Sequence, residues 1–315
     1  MNNEKQEKSK DSDLSALVDE LEAAYWVPLL KTPFKGLDTI EARSQVDCPE
    51  LHQIFASFNS NLRAAKDLLE FPYLLLTPFL PELRPLLPKV RPSLLDDDVP
   101  LTEEDKMQMI DLVTATLKAT KEPLMGRPRE LQLLLHQACI LIWSAVETFS
   151  KQTFIEAVNR RPSLYNKVVA VPELKERFAL SNSTWTNLLQ EHDFNLNGKL
   201  GTIIAANRDF SSPQLLKDLF PAMFKGLSSL GFGLDDNQWK AFWELGQRRH
   251  LIAHRCGVVD KEYMNKTSDE CQQVGKLLQL RGRDLGEALG AAAGFAILLY
   301  GNARYCWRET KSSDD

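Results

Sequence analysis

The sequence predicts an all-α protein: a helical bundle preceded by a helical amino-terminal extension, with a proline-rich connecting segment between them. Three observations lead there. Almost every periodic stretch spaces its apolar residues three and four apart, the period of one helix face. One stretch of roughly eight turns is apolar on most of its faces, as a helix in the middle of a bundle must be. Apolar residues at 43% and charged residues at 26% are the balance of a packed globular chain. At 315 residues there is material for one large or two ordinary domains. The reading divides the chain into a polar lead-in over 1–13, a helical amino-terminal region over 14–125 and a helical domain over 126–315.

The elements follow in order. "LSALVDELEAAYWVPLL" and "PELHQIFASFNSNLRAAKDLLEF" carry helical spacing, and Pro49 suits the first turn of the second. Residues 71–100, "FPYLLLTPFLPELRPLLPKVRPSLLDDDVP", hold seven prolines among leucines, which forbids a long helix and predicts an extended packed segment ending in an acidic turn. Thr102 and Asp105 resemble a helix start, and "EEDKMQMIDLVTATLKAT" continues from them to Pro123. The long helix is "ELQLLLHQACILIWSAVETFSKQTFIEAVNR". From Arg161 to Gly233, proline, glycine and asparagine break the chain into shorter helices such as "SPQLLKDLFPAMFKGLSSL". Asp235 and Asp236 can cap the start of "NQWKAFWELGQRRHLIAHR", and Gly257 suits a left-handed stop. A loop with one short extended piece is expected next, then a last helix from about Asp284 to Trp307. On that helix Gly286, Gly290 and Gly294 lie four apart, a ridge for close packing inside the bundle or for a homodimer seam.

A net charge of −5 argues against coating nucleic acid by bulk positive charge, so any RNA contact must be local. Cys48, Cys139, Cys256, Cys271 and Cys306 are odd in number, widely spaced and without a C-x-x-C pair. They signal neither a disulfide framework nor a zinc site, and a reducing cytoplasm fits them best. "MNNEKQEKSKDSD" has no apolar core and reads as a disordered lead-in, not a secretory signal. The uncharged run "ALGAAAGFAILLYGNA" is shorter than the ~18–20 apolar residues of a membrane span and reads as a buried helix.

"WELGQRRHLIAHRCGVVD" holds two of the five histidines among three arginines. One account is plain: cations at a helix carboxyl end complement the partial negative charge of the last carbonyls. A metal account has His250 and His254 on one helix face, but Leu251 stands where a zinc hydrolase needs its Glu, and no third ligand lies nearby. No metal and no cofactor are expected. A third account is metal-free RNA cleavage, which needs a base for the 2′-hydroxyl proton, positive charge at the phosphate and an acid for the leaving oxygen. Imidazole and guanidinium supply those roles. Positions five apart diverge by about 140° around a helix, so Arg249 and His254 converge only if the helix loosens near its end or a symmetric partner supplies a second set. Glu147, inside the apolar run "IWSAVETF", needs a partner or a wet cleft, and an arginine of the motif would serve. His136 and His192 read as ordinary helix or turn residues.

"RRHLIAHRCGVVD", preceded by the anchors Trp239, Phe242 and Trp243, resembles the HEPN superfamily, whose signature is Arg, a polar residue, a short spacer and His. Arg249, His250 and His254 match those positions. "CILIWSAVETFSKQTF" is similar to the earlier core helix of the larger HEPN-like domains associated with RNases and abortive infection. The resemblance covers roughly Gly126 to Trp307. It implies an all-helical bundle and a homodimer with the motifs at its interface. It also implies metal-independent endoribonuclease activity of toxin or antiviral-defence type that leaves 2′,3′-cyclic phosphate ends. Arg249 and His254 would be catalytic, with His250 shaping the site, and Arg248, Arg255 and Glu147 would bind RNA or support it. The expected substrate is single-stranded or loop RNA, whose unpaired nucleotides can rotate into line. An antitoxin or regulatory partner is possible. Members without activity serve as binding modules, so the alternative is a non-catalytic dimeric RNA- or nucleotide-binding or protein-interaction module.

Overall fold

The computed structural model describes residues 32–76, 128–226, 233–267, 269 and 271–310. Among them are eleven helices, no named strand and one isolated antiparallel bridge between Val258 and Leu277. The all-α expectation is met. The helices are α1 (Thr32–Asp47), α2 (Pro49–Leu76), α3 (Pro128–Arg160), α4 (Ser163–Val169), α5 (Pro172–Phe178), α6 (Asn182–Glu191), α7 (Leu200–Ala205), α8 (Pro213–Phe224), α9 (Asp236–Arg255), α10 (Lys261–Thr267) and α11 (Gly282–Thr310). The expected helices at 14–30 and 103–120, and the proline-rich segment beyond residue 76, lie outside the described residues.

Three details differ from the sequence reading. Helix α1 lies where none is expected; Phe34, Leu37 and Ser44 are its buried positions, too sparse a pattern to announce a helix. Helix α2 runs through Pro72 to Leu76, past the point where proline should have ended it. Helix α10 occupies part of the expected loop, started by the Asp260 carboxylate accepting the Tyr263 N–H at 2.8 Å.

The described residues fall into two compact units. Of the described residues, the smaller draws on 66–76, 128–138 and 279–286. In it the Gln132 side chain clasps the Leu280 backbone, donating to its carbonyl at 2.8 Å and accepting its N–H at 2.9 Å. The larger draws on 32–65, 139–226, 233–267, 269, 271–278 and 287–310. Residues 32–65, read from sequence as part of an amino-terminal region, are thus built into the same unit as the arginine and histidine motif.

Aromatic side chains form the core of the larger unit. Phe55 and Phe58 of α2 pack on Phe149 of α3, with ring centroids 5.9 and 4.9 Å away, and Phe55 also meets Tyr300 of α11 at 5.1 Å. Phe242 of α9 lies between Trp143 of α3 at 5.3 Å and Phe295 of α11 at 4.8 Å. Phe154, Phe178 and Phe210 make a third cluster. Each buried phenylalanine contributes about 1.5–3 kcal/mol of transfer free energy, and Phe178 of α5 and Phe220 of α8 fasten those two short helices to the long ones through Phe154 and Phe295.

Two described helices are long and apolar enough to cross a membrane, Arg129–Arg160 and Gly282–Tyr305. Their most apolar windows are 56% and 67% buried inside the protein, the condition of bundle core helices. On α11, Gly294 meets Leu234 and Gln238 of its own chain, whereas a side chain at Gly290 would meet nothing within 4 Å. Cys48, Cys139, Cys256 and Cys271 are free thiols.

Candidate functional site

The motif lies on α9, and its helix is fastened at both ends. Asp235 and Gln238 form a reciprocal capping box, Asp235 Oδ1 accepting the Gln238 N–H at 2.8 Å. Phe242, Leu245 and Leu251 bury the inner face, and Trp239 stacks on Phe242 beneath the Lys217 ammonium. At Gly246 an added Cβ would fall 2.3 Å from Pro213 Cγ and 3.1 Å from the Trp143 ring, so bare backbone seats α9 against α8 and α3. At the far end the left-handed turn begins at Cys256 (φ 51°), one residue before the expected glycine, and continues at Gly257 (φ 76°). Both amides turn back to the Leu251 carbonyl. The helix therefore stays regular through Arg255 and does not loosen at His254.

Each residue expected at the site has a definite place. Arg249 is 20% exposed and points to α3, where its Nη2 lies 3.4 Å from Glu147 Oε2; its Nε is buried and donates no hydrogen bond. Burial pushes the Glu147 carboxyl above its ordinary value, and the Arg249 guanidinium opposes that push. His250 and His254 are exposed, with ring centroids 4.8 Å apart. Arg248 is 5% exposed and faces inward, 2.9 Å from Glu244 and 4.0 Å from Asp269. There it ties the chain after α10 to α9. Arg255 is open to solvent, 3.7 Å from Asp260. The structure thus pairs Arg249 with Glu147 and His250 with His254, and turns Arg248 inward. His136 lies buried in α3, and His192 caps α6.

Sequence reasoning missed Lys266 and Glu262, whose charges act on His250 from α10. Their i, i+4 spacing after Asp260 is a signal that a seven-residue helix is too short to make audible. Lys151, one turn beyond Glu147, acts on that carboxylate with Arg249. Among the described residues no group of three or more His, Cys, Asp or Glu is placed to hold a metal ion.

No family model, curated protein or solved structure matches this chain. The chemistry of the site is therefore argued from its own groups. His250 has its pKa lowered, first by desolvation and then by the charges of His254, Lys266 and Arg249, which outweigh Glu262. Neutral imidazole is favoured there, so near pH 7 the ring is a proton acceptor. The sign for stability follows: a depressed histidine contributes stability that is complete above about pH 6.5 and is lost as pH falls through its folded value. The His250 ring protons should titrate in an NMR series with a midpoint below about 6.5, moving upward in His254→Ala; a midpoint above that value would refute the electrostatic account.

Proposed function

We propose that the protein is a metal-independent endoribonuclease of toxin or antiviral-defence type, acting as a homodimer on single-stranded or loop RNA in the cytoplasm. The observation that carries the reading is the constellation Arg249, His250 and His254, with Glu147 holding the guanidinium. A neutral imidazole takes the proton of a ribose 2′-hydroxyl, and its oxygen attacks the adjacent phosphorus. The bond from phosphorus to the 5′-oxygen breaks, that oxygen receives a proton from a protonated imidazole, and a 2′,3′-cyclic phosphate remains. Arg249 neutralises the charge that gathers on the phosphoryl oxygens. Such an enzyme needs restraint, and an antitoxin or other regulatory partner is part of the proposal.

One observation favours the second reading, a non-catalytic dimeric module that binds RNA or nucleotide. Because α9 stays regular through Arg255, Arg249 and His254 diverge by about 140° around one helix. A single chain directs them to different sides, and the nuclease needs a partner's set to close the site. End-labelled single-stranded RNA incubated with the protein in EDTA separates the two. Shortened products with cyclic phosphate ends support the enzyme; a retarded but intact strand supports the binding module.

A further inference from the structure

The side of α9 that carries the two histidines is also the side on which α10 rests. At about 100° per residue, positions 243, 250 and 254 nearly align along the helix. Trp243 marks that line at its start, donating its indole N–H to the Lys266 carbonyl at 3.2 Å. Tyr263 and Thr267 are the buried edge of α10, which leaves Glu262 and Lys266, each one residue earlier, on the edge open to solvent. There Lys266 Nζ donates to Glu262 Oε1 at 2.7 Å. Both charges act on the His250 ring, as do Arg249 and His254.

His250 is thereby flanked by two cations of similar design. Arg249 is held by a carboxylate from α3 and Lys266 by a carboxylate of its own helix. At rest each positive charge is balanced. The pair is exposed and spans one turn of a single short helix, so the fold does not depend on it, and a phosphodiester entering beside His250 competes with Glu262 for the same ammonium. We propose that Lys266 is a phosphate-binding cation of this site and that Glu262 holds it in reserve until substrate displaces the carboxylate. The inference rests on the reading that this face takes RNA phosphates, but not on cleavage.

The test uses the full chain and a fluorescein-labelled 2′-O-methyl RNA single strand, which has no free 2′-hydroxyl at its internucleotide linkages and stays intact. Binding is followed by anisotropy over a range of salt concentrations. Lys266→Met is expected to weaken binding about fivefold to tenfold at low salt and to flatten the slope of log affinity against log salt by about 0.7, one lost contact on a single strand. Lys266→Arg should restore both, and Glu262→Gln should tighten binding severalfold, an effect lost when combined with Lys266→Met. Equal affinity and slope for wild type and Lys266→Met would overturn the proposal, as would failure of the wild type to bind. Unmodified RNA assayed in parallel keeps the two readings apart. RNA that binds through Lys266 but is never cut sinks the nuclease and leaves this inference standing. RNA that is cut with Lys266→Met binding unchanged does the reverse.

Discussion

Alanine at Arg249 or at His254 is expected to lower RNA cleavage in EDTA by about 10²–10⁴-fold, with the helical content and oligomeric state of the protein unchanged. Both side chains lie where truncation costs the fold little. His254 is exposed on the last turn of α9, and Arg249 meets Glu147 at 3.4 Å. Arg249→Ala also removes the cation that opposes burial at Glu147, so that carboxyl rises further and accepts a proton without unfolding the chain. Arg249→Lys should recover little, because an ammonium cannot present the two parallel donors that grip a phosphate. The neighbouring arginine is the built-in contrast. Arg248→Ala strips a cation from between Glu244 and Asp269 in a buried setting and should lower the melting temperature before it changes any chemistry. Cleavage on gels, circular dichroism and size exclusion together check the set. Undiminished cleavage by both Arg249→Ala and His254→Ala would end the nuclease reading.

The two adjacent arginines also show what the sequence can and cannot say. Spacing selects Arg249 as the fifth residue before His254, but nothing in "QRRH" states that one guanidinium turns outward to α3 and the other inward to Asp269. That depends on which face of α9 is buried, and the face is set by Phe242, Leu245 and Leu251 meeting partners far along the chain. Glu147 was legible for a physical reason: a carboxylate in an apolar run needs a partner, and it has one. The long helices were legible because many turns repeat one apolar stripe. Helices α1 and α10 were not, because seven residues, or a stripe of two large apolar side chains, fall below what periodicity can resolve. The left-handed stop expected at Gly257 is present there, and what the local sequence does not show is that Cys256 already adopts the same conformation one residue earlier.

Gly246→Ala is expected to destabilise the protein by about 1–3 kcal/mol, although alanine is the better helix former. Its methyl would lie 2.3 Å from Pro213 Cγ and 3.1 Å from the Trp143 ring, and neither neighbour yields easily. Pro213 is the first residue of α8, and Trp143 is fully buried against Phe242. Relief therefore comes by moving α9 away from α3. Along that seam Trp143 and Glu147 are one turn apart on α3, and Gly246 and Arg249 are nearly one turn apart on α9. The displacement thus reaches the 3.4 Å contact between Arg249 and Glu147, and the same substitution should weaken whatever Arg249 does. Gly290→Ala separates this from ordinary helix propensity. It too lies in a long helix, its methyl would meet nothing within 4 Å, and it should gain about 0.5–1 kcal/mol. Thermal melts of the two variants should move in opposite directions, and only Gly246→Ala should lower RNA binding or cleavage. If both substitutions raised the melting temperature, the seam between α3 and α9 would be looser than its geometry implies, and Arg249 would not be positioned by it.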